Sequence, residues 1–126
     1  MTVRKIKIGI MPKEQYRQRT IDIAAGKYIP SRNEPKIWFN SFKAMGEVLN
    51  EKNMELIRII YEKKPDSLTT LARLSKRQLP NVSRTVRTLQ AYKLIETERK
   101  HKATVPIAKA KNFKVESYDY MLENHA

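Results

Sequence analysis

The segment LPNVSRTVRTL, residues 79–89, restricts the possible fold most, because its apolar side chains recur only at helical spacing. On a wheel of about 100 degrees per residue, with Val82 at zero, Val86 falls at about 40 degrees and Leu89 at about 340 degrees. These three residues form a narrow seam that has to pack against other elements. Pro80 is favoured at the first helical position, where its missing N–H would lack a helical partner, so it starts this helix.

The opposite half of the same helix is polar and contains no acid. On the wheel, Ser83, Arg87, Arg84, Thr88 and Asn81 fall at about 100, 140, 200, 240 and 260 degrees. Arg can bond guanine and Asn can bond adenine in bidentate fashion, while Ser and Thr reach bases or phosphates. No Asp or Glu occurs from Ser67 through Leu94. A solvated helix face usually mixes both charge signs, so this pattern predicts a surface that meets a polyanion.

The charge of the whole chain favours the same partner. Lys and Arg number 26 against 13 acidic residues among 126, which gives a formal net charge of +13 and a pI near 10.1. Such a charge repels itself unless a polyanion or an acidic partner is present, so nucleic acid is the first hypothesis. The alternative is a basic protein that its surface lysines keep in solution.

The length of 126 residues predicts one domain, and periodicity and capping residues predict its elements. Asn50 and Ser67 suit helix N-caps, Asn40 or Ser41 suits a third, and Gly26 suits the position after a helix. The predicted elements are a strand at 6–10, helices at 13–25, 41–49, 51–64, 68–75 and 80–91, a short strand at 37–39 and a hairpin at 94–107 with its charged tip at 99–102.

The run PDSLTTLARLSKRQLPNVSRTVRTLQAYKLIETE resembles the winged helix-turn-helix of MarR-like and ArsR-like transcriptional regulators. The preceding IWFNSFKAMGEVLNEKNMELIRII resembles a group of small prokaryotic DNA-binding proteins with that domain, some of them antitoxins. The resemblance implies a mainly α fold with a small β wing, of the α+β class. It also implies a winged domain at residues 37–106, a strand-helix extension at 1–36 that contributes to dimerisation, and a C-terminal tail at 107–126.

The resemblance also assigns roles to the polar residues. Residues 80–91 correspond to the recognition helix, with Asn81, Ser83, Arg84 and Arg87 at its usual contact positions, and residues 99–102 correspond to the wing. We expect contacts with DNA bases from Asn81, Arg84, Arg87 and Thr88. We expect contacts with the DNA backbone from Ser83, Lys76, Arg77, Arg99, Lys100 and Lys102. Lys93 stands where the family often has glycine, so either Lys93 is left-handed or the helix ends differently.

The leading hypothesis is therefore a sequence-specific regulator that binds double-stranded DNA as a homodimer. An antitoxin that binds a toxin protein and regulates its own operon is the second hypothesis, because proteins resembling this one occur in such pairs. RNA binding is a third hypothesis, based on the charge and on Trp38. Trp38, Phe39 and Phe42 either stack bases or anchor the N-terminal part of the chain to the winged domain.

Several functional classes lack their characteristic residues. The chain has no cysteine, its three glycines are dispersed, and His101 and His125 have no acids at metal-ligand spacing. We therefore expect no enzyme, no metal and no cofactor. The N-terminal apolar stretch is too short for a secretory signal, and no run has the roughly 18 apolar residues that cross a bilayer. We accordingly expect a cytoplasmic protein without membrane contact.

Overall fold

A computed structural model of the protein describes residues 4–121, which have an α+β fold with five helices and five strands. The strands are β1 (Lys5–Ile10), β2 (Ile37–Phe39), β3 (Glu96–Lys100), β4 (Ala103–Ile107) and β5 (Asn112–Ser117). The helices are α1 (Lys13–Ala24), α2 (Phe42–Val48), α3 (Glu51–Lys63), α4 (Leu68–Ser75) and α5 (Leu79–Ala91). His125 and the end of the predicted tail lie outside the described residues.

The described residues form two compact units. The first contains Val48–Asn112 and the described residues up to Ile6; the second contains Lys7–Glu47 and the described residues from Phe113 onward. The first unit therefore holds α3, α4, α5 and the hairpin. The predicted segments at 1–36, 37–106 and 107–126 stay a prediction about domain organisation.

The helices begin at the capping residues that the sequence indicates. The Asn50 side chain accepts a hydrogen bond from the Asn53 N–H at 2.9 Å, and Ser67 accepts one from the Thr70 N–H at 3.0 Å. Ser41 caps α2, with its hydroxyl 3.1 Å from the Ala44 nitrogen. Each cap satisfies a backbone donor that has no partner inside the helix. The caps predicted at Asn50 and Ser67 are thus confirmed. Of the two candidates for the N-cap of α2, Asn40 and Ser41, the cap is Ser41.

The interior of the first unit is formed by one apolar face from each helix. Ile57 and Ile60 of α3 and Leu71 of α4 are buried, and so is the α5 seam, as its helical spacing predicted. Leu94 and Ile95, which follow α5, are also buried. Burial of such side chains contributes about 1.5–3 kcal/mol each before the cost of chain ordering.

A three-stranded sheet in strand order β2-β1-β5 has most of its residues in the second unit. β1 and β2 are parallel, with Gly9 opposite Trp38 in the register. A Cβ atom on Gly9 would lie 2.3 Å from a ring carbon of Trp38, so the indole packs directly against the backbone of β1. Both strands were predicted from their apolar residues.

β5 is a strand that the sequence analysis did not predict, since residues 107–126 were interpreted as a tail. Its Phe113 and Glu116 are half-buried, while Lys114 and Val115 are exposed. This order is not the clean alternation that marks a half-buried strand. The segment becomes a strand because it pairs with β1, a partner about 100 residues away in the sequence.

The second unit encloses a polar cluster centred on Arg19 of α1. The Arg19 guanidinium lies 4.9 Å from the Trp38 ring centroid and donates a hydrogen bond to Glu34 at 2.9 Å. Tyr28 donates its hydroxyl to the same carboxylate, and burial together with Glu34 raises the pKa of Tyr28 to about 12. The positive charge of Arg19 is thus compensated by one carboxylate and by aromatic faces.

A second buried hydrogen bond in this unit joins Tyr120 to α1. The Tyr120 hydroxyl donates to Asp22 at 2.6 Å, and the Tyr120 backbone N–H donates to Gln15 at 2.8 Å. Burial and the Asp22 carboxylate raise the pKa of Tyr120 to about 12. These bonds fix the segment after β5 against α1.

The aromatic residues Trp38, Phe39 and Phe42 do not form one exposed platform. Phe39 is buried, Trp38 is half-buried beside Arg19 and Tyr118, and Phe42 is exposed. No helix within residues 4–121 combines the length and the apolar character needed to cross a bilayer.

Candidate nucleic-acid interface

A tight turn between α4 and α5 positions the candidate interface. Lys76 has a left-handed backbone conformation, with φ of 58°. The Lys76 N–H donates to the Arg73 carbonyl at 3.3 Å, and the Arg77 N–H donates to the Ala72 carbonyl at 3.1 Å. This pair of bonds is the Schellman arrangement that ends a helix and reverses the chain. α5 then begins at Leu79, one residue before the start predicted at Pro80. Pro80 is therefore the second helical residue, where a backbone N–H would still have no partner inside the helix.

The buried and exposed sides of α5 divide as the wheel predicted. Val82 and Leu89 are 0% exposed and Val86 is 3% exposed, so the seam is fully covered. The predicted base-reading residues Asn81, Arg84, Arg87 and Thr88 are all exposed on the other side. The helix therefore presents two arginines and an amide to solvent, supported from behind by a rigid core.

Hydrogen bonds within α5 order part of this exposed face. The Arg84 guanidinium donates to the Asn81 side-chain oxygen at 3.3 Å, and the Thr88 hydroxyl donates to the Arg84 carbonyl at 3.2 Å. The bond to Asn81 leaves the other guanidinium N–H groups of Arg84 available, because Arg carries five such donors.

Among the predicted backbone-contacting residues before the hairpin, Lys76 is exposed, whereas Ser83 and Arg77 are half-buried. Arg77 donates from Nη2 to the Thr85 hydroxyl at 3.0 Å, and its Nη1 is buried without a hydrogen-bond partner in the described residues. Sequence reasoning overlooked Thr85, although its wheel position near 300 degrees borders the seam. Arg77 thus packs the turn onto α5 in this structure.

The end of α5 leads directly into the hairpin. Lys93 is left-handed with φ of 64°, and the Leu94 N–H donates to the Leu89 carbonyl at 2.9 Å. The first of the two alternatives for Lys93 is therefore confirmed. Thr97 of β3 donates its hydroxyl to the Gln90 side chain at 3.1 Å, which ties the hairpin to the last turn of α5. This role of Gln90 was not predicted, because no sequence pattern indicates it.

The hairpin carries its cations at a two-residue turn. β3 and β4 are antiparallel, with Lys100 opposite Ala103, and the turn residues His101 and Lys102 have φ of 50° and 68°. Positive φ at both central residues is the pattern of a type I′ turn, normally formed by Asn and Gly. The strain is of the order of 1–2 kcal/mol per residue, so local chain preference alone does not account for this tip.

The cations of the hairpin are exposed and only weakly compensated. Arg99, Lys100 and Lys102 are all exposed, as predicted. Arg99 donates to the Thr104 hydroxyl at 3.1 Å, and Lys100 lies 3.4 Å from Glu98. An exposed pair such as Lys100 and Glu98 is worth roughly 0–1 kcal/mol, so a phosphate can replace the carboxylate at little cost.

A family model matches residues 48–115, which is more than half of the chain. The chain belongs to the HVO_A0114 family. The matched residues include α3, α4, α5, both hairpin strands and the beginning of β5, so HVO_A0114 covers the whole candidate interface. Neither a curated protein nor a solved structure matches the chain. The resemblance to MarR-like and ArsR-like regulators stays a prediction from sequence.

Proposed function

We propose that this HVO_A0114 protein is a sequence-specific regulator of transcription that binds double-stranded DNA in the cytoplasm as a homodimer. In this proposal α3, α4, α5 and the hairpin act as a winged helix-turn-helix, with α5 as the recognition helix. The observation that carries the proposal is the exposed acid-free face of α5, which lies opposite a completely buried seam.

The arrangement of α4 and α5 supports insertion of one helix into a groove. The major groove of B-DNA admits a single α-helix, provided that the helix projects from a rigid support. The buried Val82, Val86 and Leu89 supply that support from behind. The caps at Ser67 and Lys76 fix where α4 begins and ends, and so limit movement of α5.

Base recognition falls to the residues on the outer side of α5. Arg84 and Arg87 each carry a planar guanidinium suited to bidentate bonding of guanine O6 and N7. Asn81 suits adenine N6 and N7, and Thr88 offers its hydroxyl oxygen or its methyl group. The hydrogen bond between Arg84 and Asn81 makes these two residues one unit, so we expect them to read neighbouring base pairs.

We assign contacts with the DNA backbone to residues before, within and after α5. Lys76 lies at the start of the turn, Ser83 lies in the first half of α5, and the exposed hairpin supplies Arg99, Lys100 and Lys102. Arg77 is half-buried and already donates to Thr85, so fewer of its N–H groups are available to a phosphate. We therefore assign Arg77 the weakest contribution among these contacts.

Selection of bound sequences from a random duplex pool tests the proposal. The wild-type chain is expected to enrich one motif, and the double variant R84A/R87A is expected to enrich none while it keeps some binding to all duplexes. Arg58→Ala is the matched control, because Arg58 is exposed on α3 and its ion pair is with Glu55 on the same helix. A wild-type pool without any enriched motif would overturn the proposal.

The same selection reports on the homodimer. A two-fold symmetric motif with half-sites one helical turn apart, about 34–36 Å, is expected if two α5 helices enter successive grooves. Light scattering of the free protein at matched concentration supplies the independent measurement. An asymmetric motif together with a monomeric mass would contradict the dimer and leave the DNA-binding proposal standing.

A further inference from the structure

A cavity of about 640 Å³ lies within the first unit, away from the exposed face of α5. Its walls are the end of α3, the segment from Lys64 to Thr70, strand β4 and the hairpin tip. This volume is within the roughly 300–1,000 Å³ that small-molecule sites usually have.

The inner wall of the cavity is apolar. Ile60, Pro65, Pro106 and Ala108 are buried, so this wall is built into the interior and does not belong to a flat surface. Half-buried residues of β4 continue the same wall. The apolar lining residues are Ile60, Pro65, Val105, Pro106, Ile107 and Ala108.

The polar lining of the cavity carries two lysines and one acid. Lys64, Lys100 and His101 stand at its exposed rim, and Asp66 is the one acid among its lining residues. Asp66 already accepts a hydrogen bond from the Thr70 hydroxyl at 2.7 Å. The His101 side chain forms no hydrogen bond or ion pair within residues 4–121. The cavity therefore combines an apolar wall with a rim that attracts negative charge.

We propose that this cavity binds a small organic anion that has an apolar body and a carboxylate head. The body would contact Ile60, Pro106 and Ala108, and the carboxylate would lie between Lys64 and the hairpin tip. An uncharged apolar molecule would leave the cationic rim unused, and a bare inorganic anion would leave the apolar wall exposed.

Occupancy of the cavity is expected to weaken DNA binding, a consequence that rests on the proposed function. Lys100 lines the cavity and is also one of the proposed backbone contacts. A bound carboxylate cancels positive charge at the hairpin tip, so phosphates are attracted less there. A ligand packed between β4 and the hairpin tip would also hold the tip in one position.

Titration of the full-length protein with octanoate, followed through backbone amide shifts in NMR, tests the binding step without DNA. Shifts are expected at residues 60–70 and 100–108, with a Kd of the order of 1 mM for a ligand of this size. Octanamide, which has the same body without the charge, is expected to bind about threefold to fivefold more weakly. No saturable shifts in those two segments, or equal affinity for the two compounds, would overturn the proposal.

The variant Lys64→Gly isolates the contribution of the rim. Lys64 has a left-handed backbone with φ of 48°, which glycine adopts without strain, so the fold is expected to survive the change. Octanoate affinity is expected to fall about threefold to fivefold while octanamide affinity stays the same. Lys93→Gly is the matched control, because Lys93 is also left-handed and does not line the cavity.

A second titration separates this proposal from the proposed function. Saturating octanoate is expected to weaken binding of a random duplex by the wild-type protein about threefold or more, and to have less effect on Lys64→Gly. Shifts at 60–70 and 100–108 without any DNA binding would support the cavity site and defeat the regulator. DNA binding that octanoate leaves unchanged would defeat the coupling.

Discussion

The guanidinium of Arg77 donates a hydrogen bond from Nη2 to the Thr85 hydroxyl at 3.0 Å. This bond connects the turn after α4 with the middle of α5. Nη1 of Arg77 is buried without a hydrogen-bond partner in the described residues. The Thr85 hydroxyl, which accepts from Nη2, therefore offsets part of the cost of burying this guanidinium. The turn of the helix pair is thus fixed by a polar contact as well as by apolar packing.

Replacement of Thr85 by Val should destabilise the protein by about 1–2 kcal/mol, because it leaves a buried charged donor unpaired at nearly unchanged side-chain volume. Urea unfolding followed by far-UV circular dichroism measures the change. Thr85→Ser is the control, since it keeps the hydroxyl and loses only a methyl group. Equal losses for the two variants would show that the methyl group, and not the hydrogen bond, is responsible.

Replacement of Lys93 by Gly should stabilise the protein by about 1 kcal/mol, because glycine adopts a φ of 64° without the strain that a side chain causes. Part of the gain is offset by the greater freedom of glycine in the unfolded chain. Lys93→Ala removes the same charge and retains the strain, so it should bring no gain. A rise in the thermal midpoint for both variants would mean that charge, not backbone conformation, limits stability at this position.

Under the proposed function, Arg84→Ala and Lys100→Ala should affect DNA binding differently. Arg84→Ala should cost about 1–3 kcal/mol on the selected duplex and much less on random sequence, because it removes a base contact. Lys100→Ala should weaken both duplexes equally and reduce the salt slope by about one. Binding isotherms at several salt concentrations measure both effects. Equal losses on specific and random duplexes for both variants would contradict the two assignments.

The protein should lose stability above about pH 10, because Tyr28 and Tyr120 have folded pKa values of about 12. Their phenols ionise in the unfolded chain near pH 10 and stay protonated in the folded chain up to about pH 12. The unfolded state therefore binds fewer protons in this window, and the free energy of unfolding falls as the pH rises. Below pH 10 both phenols are protonated in both states and contribute no pH dependence.

Urea titrations at pH 9, 10 and 11 test this alkaline loss. Tyr120→Phe should lower stability at pH 9, since it removes the hydrogen bond to Asp22, and should make the decline above pH 10 shallower. Tyr92→Phe is a control on an exposed tyrosine whose loss should leave the decline unchanged. An identical pH slope in wild type and Tyr120→Phe would contradict the assignment.

Replacement of Gly9 by Ala should destabilise the second unit by about 1–3 kcal/mol, because the new methyl group would overlap the Trp38 ring. Gly46→Ala is a matched control: its Cβ would meet nothing within 4 Å, and it lies inside α2. That control should stabilise the protein by about 0.5–1 kcal/mol through helix propensity. Thermal unfolding of the two variants should therefore shift in opposite directions.

Most of the first unit follows from local sequence patterns. The seam of α5 was predicted from spacing alone, since a period of 3.6 residues forces Val82, Val86 and Leu89 onto one side. Asn50 and Ser67 act as predicted, because a cap depends on only a few neighbouring residues. The exposure of Asn81, Arg84 and Arg87 follows from the same geometry.

The type of turn at the hairpin tip was not predictable. His101 and Lys102 lack the Asn-Gly signal of a type I′ turn and adopt its φ values nevertheless. Antiparallel pairing of β3 and β4 imposes the twist that this turn accommodates, so the constraint comes from the flanking strands.

Local sequence patterns were enough to predict which segments become helices, the start of each helix to within one residue, and which side of α5 faces solvent, because these features depend on neighbours within one or two turns. The tertiary structure alone decided that residues 112–117 form a strand beside β1, that Arg19 is buried against Trp38 and Glu34, and that Arg77 turns inward to Thr85. Each of these outcomes depends on contact with a partner residue or strand, and the periodicity of the sequence does not indicate which partner will be near. β5 becomes a strand only when folding supplies the edge of β1, Arg19 is buried only where Trp38 and Glu34 meet it, and Arg77 turns inward only where Thr85 offers its hydroxyl group.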